Sequence, residues 1–258
     1  MSLAKIFGVL GFLMPIAIHA EPYVEGLAHS SYLQIGGDYT KANIKLTGQS
    51  KYRGDLGGIQ VSYAYEAQGC FYASAKASWK QGRTENSNSS RFLVYVDVQE
   101  RLGYTFSSYF KKCSATVFSG IGYRYLGHKL NPVQGSSVKF CYNEFYLPLG
   151  FLSRCDLSRF WSLGFNFTWM PQVFPTVKIS PLKGANWSLV NTWGNIQGEL
   201  PLTYFIAENR NYAIILKPFY EYWQNGKSTA KTSNGRKLNL PENTYNLWGA
   251  EVNLAFAF

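Results

Sequence analysis

Two histidines, His29 and His128, are all that follow residue 20, and their scarcity limits the acid–base chemistry open to this chain. General acid–base catalysis needs a proton carrier beside a partner that orients it. His29 lies near the amino terminus, and His128, within Gly127-His128-Lys129, has no Asp or Glu close to it in sequence. Partners distant in sequence can still meet in space, yet no catalytic residues are assigned, and a lone histidine in a polar stretch reads as solvated. Neither the cysteines nor the histidines have the spacing of a zinc site. No acidic run resembles a calcium loop, and no glycine motif would cradle a phosphate. The expectation is a protein that is not an enzyme and carries no metal or cofactor.

Charge and thiols are the chemistry that remains. Asp38, Lys76, Lys80, Asp97, Arg101, Arg124, Glu144, Glu199, Lys217, Glu221 and Glu251 fall on the more polar side of alternating segments, with the two signs nearly balanced. A second set falls in or beside polar gaps: Lys41, Lys45, Lys51, Arg53, Arg83, Lys178, Lys183, Lys227, Lys231, Arg236 and Lys237. With this set the net charge reaches +10. A clustered positive field attracts polyanions. No recognition motif points to nucleic acid, and none is expected as a partner. Cys70, Cys113 and Cys155 lie at short turns, and Cys141 lies within a segment.

Side chains this far apart can share one interior only if strands carry them there. Ten segments alternate with a period of two, at about 32–40, 59–65, 71–80, 94–102, 116–125, 142–151, 161–169, 196–206, 212–222 and 248–258. That period puts one side-chain face to each side of a sheet. The intervening gaps are alternately long (41–55, 81–90, 127–137, 171–194, 224–243) and short, and the even count returns both ends to one side. Glu100 breaks the pattern by falling on the apolar face, which predicts a bulge or an interfacial rim position there.

The last segment is the most specific. From Trp248 the even positions run Trp248, Ala250, Val252, Leu254, Phe256 and Phe258, so the chain stops on an aromatic. Gly120-Ile121-Gly122-Tyr123-Arg124-Tyr125-Leu126 and Tyr146-Leu147-Pro148-Leu149-Gly150 have the same alternation. On these motifs the chain resembles the small bacterial outer-membrane β-barrels of about ten strands that end in phenylalanine. The resemblance implies an all-β fold, a closed antiparallel up-and-down transmembrane barrel. It also implies that Phe256 and Phe258 form a signal read by the outer-membrane assembly machinery. Long gaps then become extracellular loops and short ones periplasmic turns. Backbone groups in lipid must all be satisfied, so the sheet must close.

The amino terminus agrees with that destination. Lys5 precedes an apolar run from Ile6 to Ile18, which ends in Ile18-His19-Ala20. This predicts a secretory signal peptide over 1–20, cleaved after Ala20, because the run is shorter than the roughly 20 residues a membrane helix needs. Residues 21–30 read as a periplasmic lead-in and 31–258 as the barrel domain. Aromatic residues make up 17% of the chain, which suits girdles at two membrane interfaces, and the mean hydropathy of −0.16 is what lumen and lipid faces give when averaged.

Two functional classes follow, with a third behind them. The leading reading is a structural or adhesin-like outer-membrane protein whose basic extracellular loops meet lipopolysaccharide phosphates or acidic host glycans. The alternative is a narrow porin-like channel for ions or small solutes. About eight strands leave an interior just filled by side chains and about sixteen an open pore, so ten strands favour an interior closed by ion pairs. The omptin proteases, which this chain resembles in strand number, use paired acids and a His–Asp pair at the extracellular rim. No external carboxylate pair is evident here, so a barrel hydrolase ranks last. For Cys70, Cys113 and Cys155, turn tips about 10 Å apart exceed the roughly 7 Å a disulfide spans. An internal bridge would need the turns to lean together; disulfide links to neighbouring envelope proteins and free thiols are equally open.

Overall fold

The computed structural model describes residues 31–46, 51–66, 71–87, 89–107, 113–132, 137–180, 186–228 and 240–258. The proposed signal peptide and lead-in lie outside these residues. Five long strands come first: β1 (Ser31–Leu46), β2 (Lys51–Glu66), β3 (Phe71–Asn86), β4 (Ser89–Ser107) and β5 (Cys113–Pro132). The next three wall strands are each assembled from pieces. They are β6 (Val138–Tyr146) with β7 (Leu149–Asp156), then β8 (Trp161–Trp169) with β9 (Gln172–Ser180). The third comprises β10 (Asn186–Ser188), β11 (Ile196–Glu199) and β12 (Leu202–Phe205). Finally, β13 (Tyr212–Asn225) and β14 (Asn243–Ala257) close the series.

Proline accounts for three of the interruptions. Pro148, Pro171 and Pro201 sit in the gaps between pieces, and proline has no N–H to give a ladder. Main-chain bonds bridge the same places: Leu147 N–H to Pro171 O, Gly164 N–H to Pro201 O and Met170 N–H to Asn195 O, at 3.1, 2.8 and 2.8 Å. The wall therefore stays hydrogen-bonded although its strand pieces are short.

Each wall strand pairs antiparallel with its neighbours in sequence, and β14 returns to β1 over the register Tyr32↔Ala257 to Leu46↔Asn243. The result is a closed antiparallel barrel of ten wall strands with no free edge, as the alternation predicts. At the end that carries Ser31 and Phe258, the Phe258 N–H bonds to Ser31 O at 3.1 Å and its ring stacks on Tyr63.

Which face is apolar changes along the barrel. Through the middle, Ile35, Ile59, Val61, Leu102, Val117, Ile121, Leu163, Ile214, Val252 and Leu254 all point outward and are exposed. Exposed aromatics flank them, Tyr39, Trp79, Tyr220 and Trp248 on one side and Phe71, Tyr104, Phe106, Trp161 and Tyr212 on the other. A contiguous apolar belt between two aromatic girdles is a lipid-facing surface. Beyond Tyr39 and Trp79 the polarity inverts. Lys41, Lys45, Lys51, Arg53 and Arg83 now point outward and are exposed, while Ala42, Ile44, Tyr52, Leu56 and Leu93 turn inward and are buried.

This inversion corrects the expectation of long loops at 41–55 and 81–90. Residues 41–46 and 51–55 of the first stretch, and 81–86 and 89–90 of the second, are strand, with β1 and β2 paired as far as Lys45↔Lys51 and β3 and β4 as far as Asn86↔Ser89. A membrane strand needs about 9–11 residues, and β1 to β5 run to 16–20 residues each, so the hairpins outrun the lipid. Outside it, water takes the polar face and the interior takes the apolar one.

Two further expectations are revised. Glu100 sits in no bulge: both ladders pass it unbroken, with Ala75 opposite on β3 and Ile121 on β5. It points outward between Val98 and Leu102, inside the belt. Cys113 and Cys155 are disulfide-bonded to each other, with Cα atoms 4.1 Å apart. They are direct register partners on the neighbouring strands β5 and β7. The separation is therefore one strand spacing rather than the two assumed from turn tips, and no leaning is required. Cys70 lies outside the described residues, and Cys141 is a free thiol.

Candidate functional site

The lumen is built in layers. Nearest the end that carries Ser31 and Phe258, and beside the short turns, lies a partly open cavity of about 190 Å³. Around and above it comes the band of charge. Lys76 Nζ lies 3.3 Å from Glu251 and 3.7 Å from Glu199, and Lys217 pairs with the same two carboxylates. Lys80 Nζ lies 3.5 Å from Asp38 and 3.3 Å from the Thr40 hydroxyl, which itself donates to Asp38. Gln60 donates to Asn253 across the same wall at 2.6 Å.

Arg124 is the centre of the next layer. Its guanidinium lies 2.7 Å from Glu221 and 3.2 Å from Asp97. The Trp223 ring stacks on it with its centroid at 3.5 Å, and the Tyr95 ring lies at 4.8 Å. The Tyr146 hydroxyl donates to Asp97 at 2.9 Å. Tyr146 can reach across because its register partner on β5 is Gly122, where a Cβ would stand 2.2 Å from the tyrosine ring. A buried cation that is both ion-paired and covered by rings is a rigid plug.

Above Arg124 the interior becomes apolar. Ile44, Leu56, Leu93, Leu126, Met170, Val177, Trp187, Trp223 and Leu247 form one continuous buried cluster. A void of about 10 Å³ remains between Arg124, Trp223 and Leu56, about the space of a single water. His128 is part of this interior. It is 1% exposed, and its Nε2 is 2.9 Å from the Tyr245 hydroxyl. That corrects the picture of a solvated loop histidine: position 128 lies on β5, on the inward face, because the strand continues past the membrane. No Asp or Glu is bonded to it among the described residues.

All eleven lumen charges expected from the alternation face the interior, and all but Arg101 and Glu144 belong to an ion pair among the described residues. Of the basic set, Lys41, Lys45, Lys51, Arg53, Arg83 and Lys178 are exposed on strands rather than loops, and Lys227 is exposed just after β13. Lys183, Lys231, Arg236 and Lys237 lie outside the described residues. Phe256 packs edge-on to Tyr212, and Phe258 is 65% exposed at the seam. Among the described residues no cluster of His, Cys, Asp and Glu has a metal-binding arrangement. The residues missed in the sequence are Tyr146, Tyr95, Trp187 and Trp223. The signal for them was the point on each strand where the apolar residues change sides.

No family model matches the chain, and no curated protein does. Solved structures do. The outer-membrane protease OmpT of Escherichia coli superposes with a TM-score of 0.59 at 8% identity, over 88% of this chain and 96% of that one. The translocator domain of the autotransporter NalP from Neisseria meningitidis gives 0.52 at 10% identity, over 99% and 96%. At such identities the likeness concerns the fold, which is that of outer-membrane β-barrels, and carries no activity with it.

Proposed function

We propose that this chain is a non-catalytic structural protein of the bacterial outer membrane whose working surface is the basic ring at the loop end. One observation carries the reading: the inversion of polarity beyond the aromatic girdle. It turns Lys41, Lys45, Lys51, Arg53, Arg83 and Lys178 outward, immediately above the lipid-facing belt. Lys41 Nζ lies 5.2 Å from the ring centroid of Trp248, so the charge begins where the girdle ends. In an outer membrane that height is the level of the lipopolysaccharide phosphates. Lysine and arginine side chains there can reach phosphate oxygens while their stems lie on the aromatic ring.

The same inversion weighs against the narrow channel, because it fills the loop-side lumen with apolar side chains. It also weighs against a hydrolase, because it buries His128. The test is binding of the refolded barrel to lipopolysaccharide and, separately, to heparin as a soluble acidic glycan. Replacing Lys45, Lys51 and Arg53 together by glutamine should weaken lipopolysaccharide binding about tenfold or more and flatten its salt dependence. Equal binding by the triple variant would dismiss the basic ring. Tight heparin binding that needs the same residues would instead favour adhesion to acidic glycans.

A further inference from the structure

The cavity at the turn end is not used by a surface-binding role, and one cation of its lining stands outside the ion pairs of the band above. Four cations, Lys76, Arg101, Arg154 and Lys217, face it against two carboxylates, Glu66 and Glu199. Lys76 and Lys217 are neutralised by Glu199 and by Glu251 behind it, and Arg154 lies 3.8 Å from Glu66. Arg101 is left over. It is 8% exposed, and its one side-chain hydrogen bond among the described residues runs from Nε to Gln99 at 3.0 Å. The Phe118 ring covers one face of the guanidinium with its centroid at 4.5 Å. The plane is thereby held while both terminal nitrogens keep their donors, which is the planar fork that grips a carboxylate or phosphate with two bonds.

A second group points to the same occupant. Ser162 on β8 also lines the cavity and is 1% exposed, yet its hydroxyl has no hydrogen-bond partner. A buried hydroxyl without a partner, beside a guanidinium that lines the cavity with no carboxylate paired to it, is a favourable arrangement around an anion. The space is ring-sized: about 190 Å³, compared with the roughly 150 Å³ that admits benzene in an engineered cavity. Arg124 and Trp223 close the lumen above, so access is from the end that carries Ser31 and Phe258. We propose that this cavity is a blind binding site for a small molecule bearing one carboxylate or phosphate group, with Arg101 and Ser162 as its polar anchors.

The test is calorimetric titration of the folded full chain in detergent with benzoate and with inorganic phosphate, and with benzyl alcohol as a neutral control of similar size. Saturable binding of one of the two anions is expected, with no binding of the alcohol. Benzoate preferred over phosphate would identify organic acids as the source of the ligand, and the reverse preference phosphorylated compounds. Arg101→Gln should weaken that binding about tenfold or more and Ser162→Ala by a smaller factor, with heat-modifiable migration on gels checking that each variant folds. Failure of both anions to bind, or binding unaltered in a folded R101Q barrel, would overturn the proposal. Should R101Q not fold, S162A decides, and unchanged affinity there counts against the site in the same way.

Discussion

Arg124 shows what the alternation could and could not reveal about single residues. Its inward direction follows from its place between Tyr123 and Tyr125, and the same logic placed Asp97, Glu144 and Glu221 inside. Who meets whom did not follow, because Asp97, Arg124 and Glu221 come from three strands and their contact depends on the register and on barrel width. The aromatic cover of Trp223 and Tyr95 was likewise invisible. Removing the charge alone, as in Arg124→Met, strands Asp97 and Glu221 in a dry interior and should cost about 3–5 kcal/mol in denaturant unfolding. A loss below 1 kcal/mol would mean that water reaches this layer. Gly122→Ala is a subtler probe of the same plug. Its new methyl meets the Tyr146 ring at 2.2 Å, so tyrosine must leave Asp97, at an expected cost of about 1–3 kcal/mol.

At the scale of the strand, the period of two was plain, and ten segments were enough to predict closure. The lengths were misjudged for a physical reason. A strand that leaves lipid for water must swap its apolar face, and at the swap the outward apolar pattern ends although the ladder continues. Residues 41–55 look like a basic loop only if the outward face is assumed to stay apolar. The disulfide was misjudged by counting turns rather than neighbouring strands; Cys113 and Cys155 are cross-strand partners. Their bridge spans a sequence separation of 42, which chain entropy values at about 4 kcal/mol in the unfolded state. Cys113→Ser should therefore lower resistance to unfolding without altering the monomeric band on a non-reducing gel. If instead the wild-type gel shows reducible oligomers that this variant loses, the thiol serves a neighbouring protein. Glu100 offers the opposite case, a carboxylate facing lipid at mid-belt. Glu100→Val should stabilise the barrel by up to about 2 kcal/mol, measured by unfolding from liposomes. A destabilised variant would show that the carboxylate is used there.

For the whole molecule, the chain is a barrel filled at the end beyond Arg124 and hollowed by a cavity at the end that carries Ser31 and Phe258. Fold class and the direction of nearly every lumen charge were legible in the sequence, since both depend on local alternation. The seal was not, since it depends on bulky residues from distant strands meeting on one axis: Ile44, Leu93, Trp187 and Trp223. Such a body should sit in a membrane without passing ions, and its exchange with the surroundings should occur at its two end surfaces. The most direct measurement is the conductance of the refolded barrel in a planar lipid bilayer. Insertion with no stepwise current is the predicted result, for the unmodified barrel and for Arg124→Ala alike, because the apolar cluster above that layer stays in place. Reproducible steps from the unmodified barrel, altered in size or selectivity by that substitution, would contradict a sealed lumen and make the protein a narrow channel.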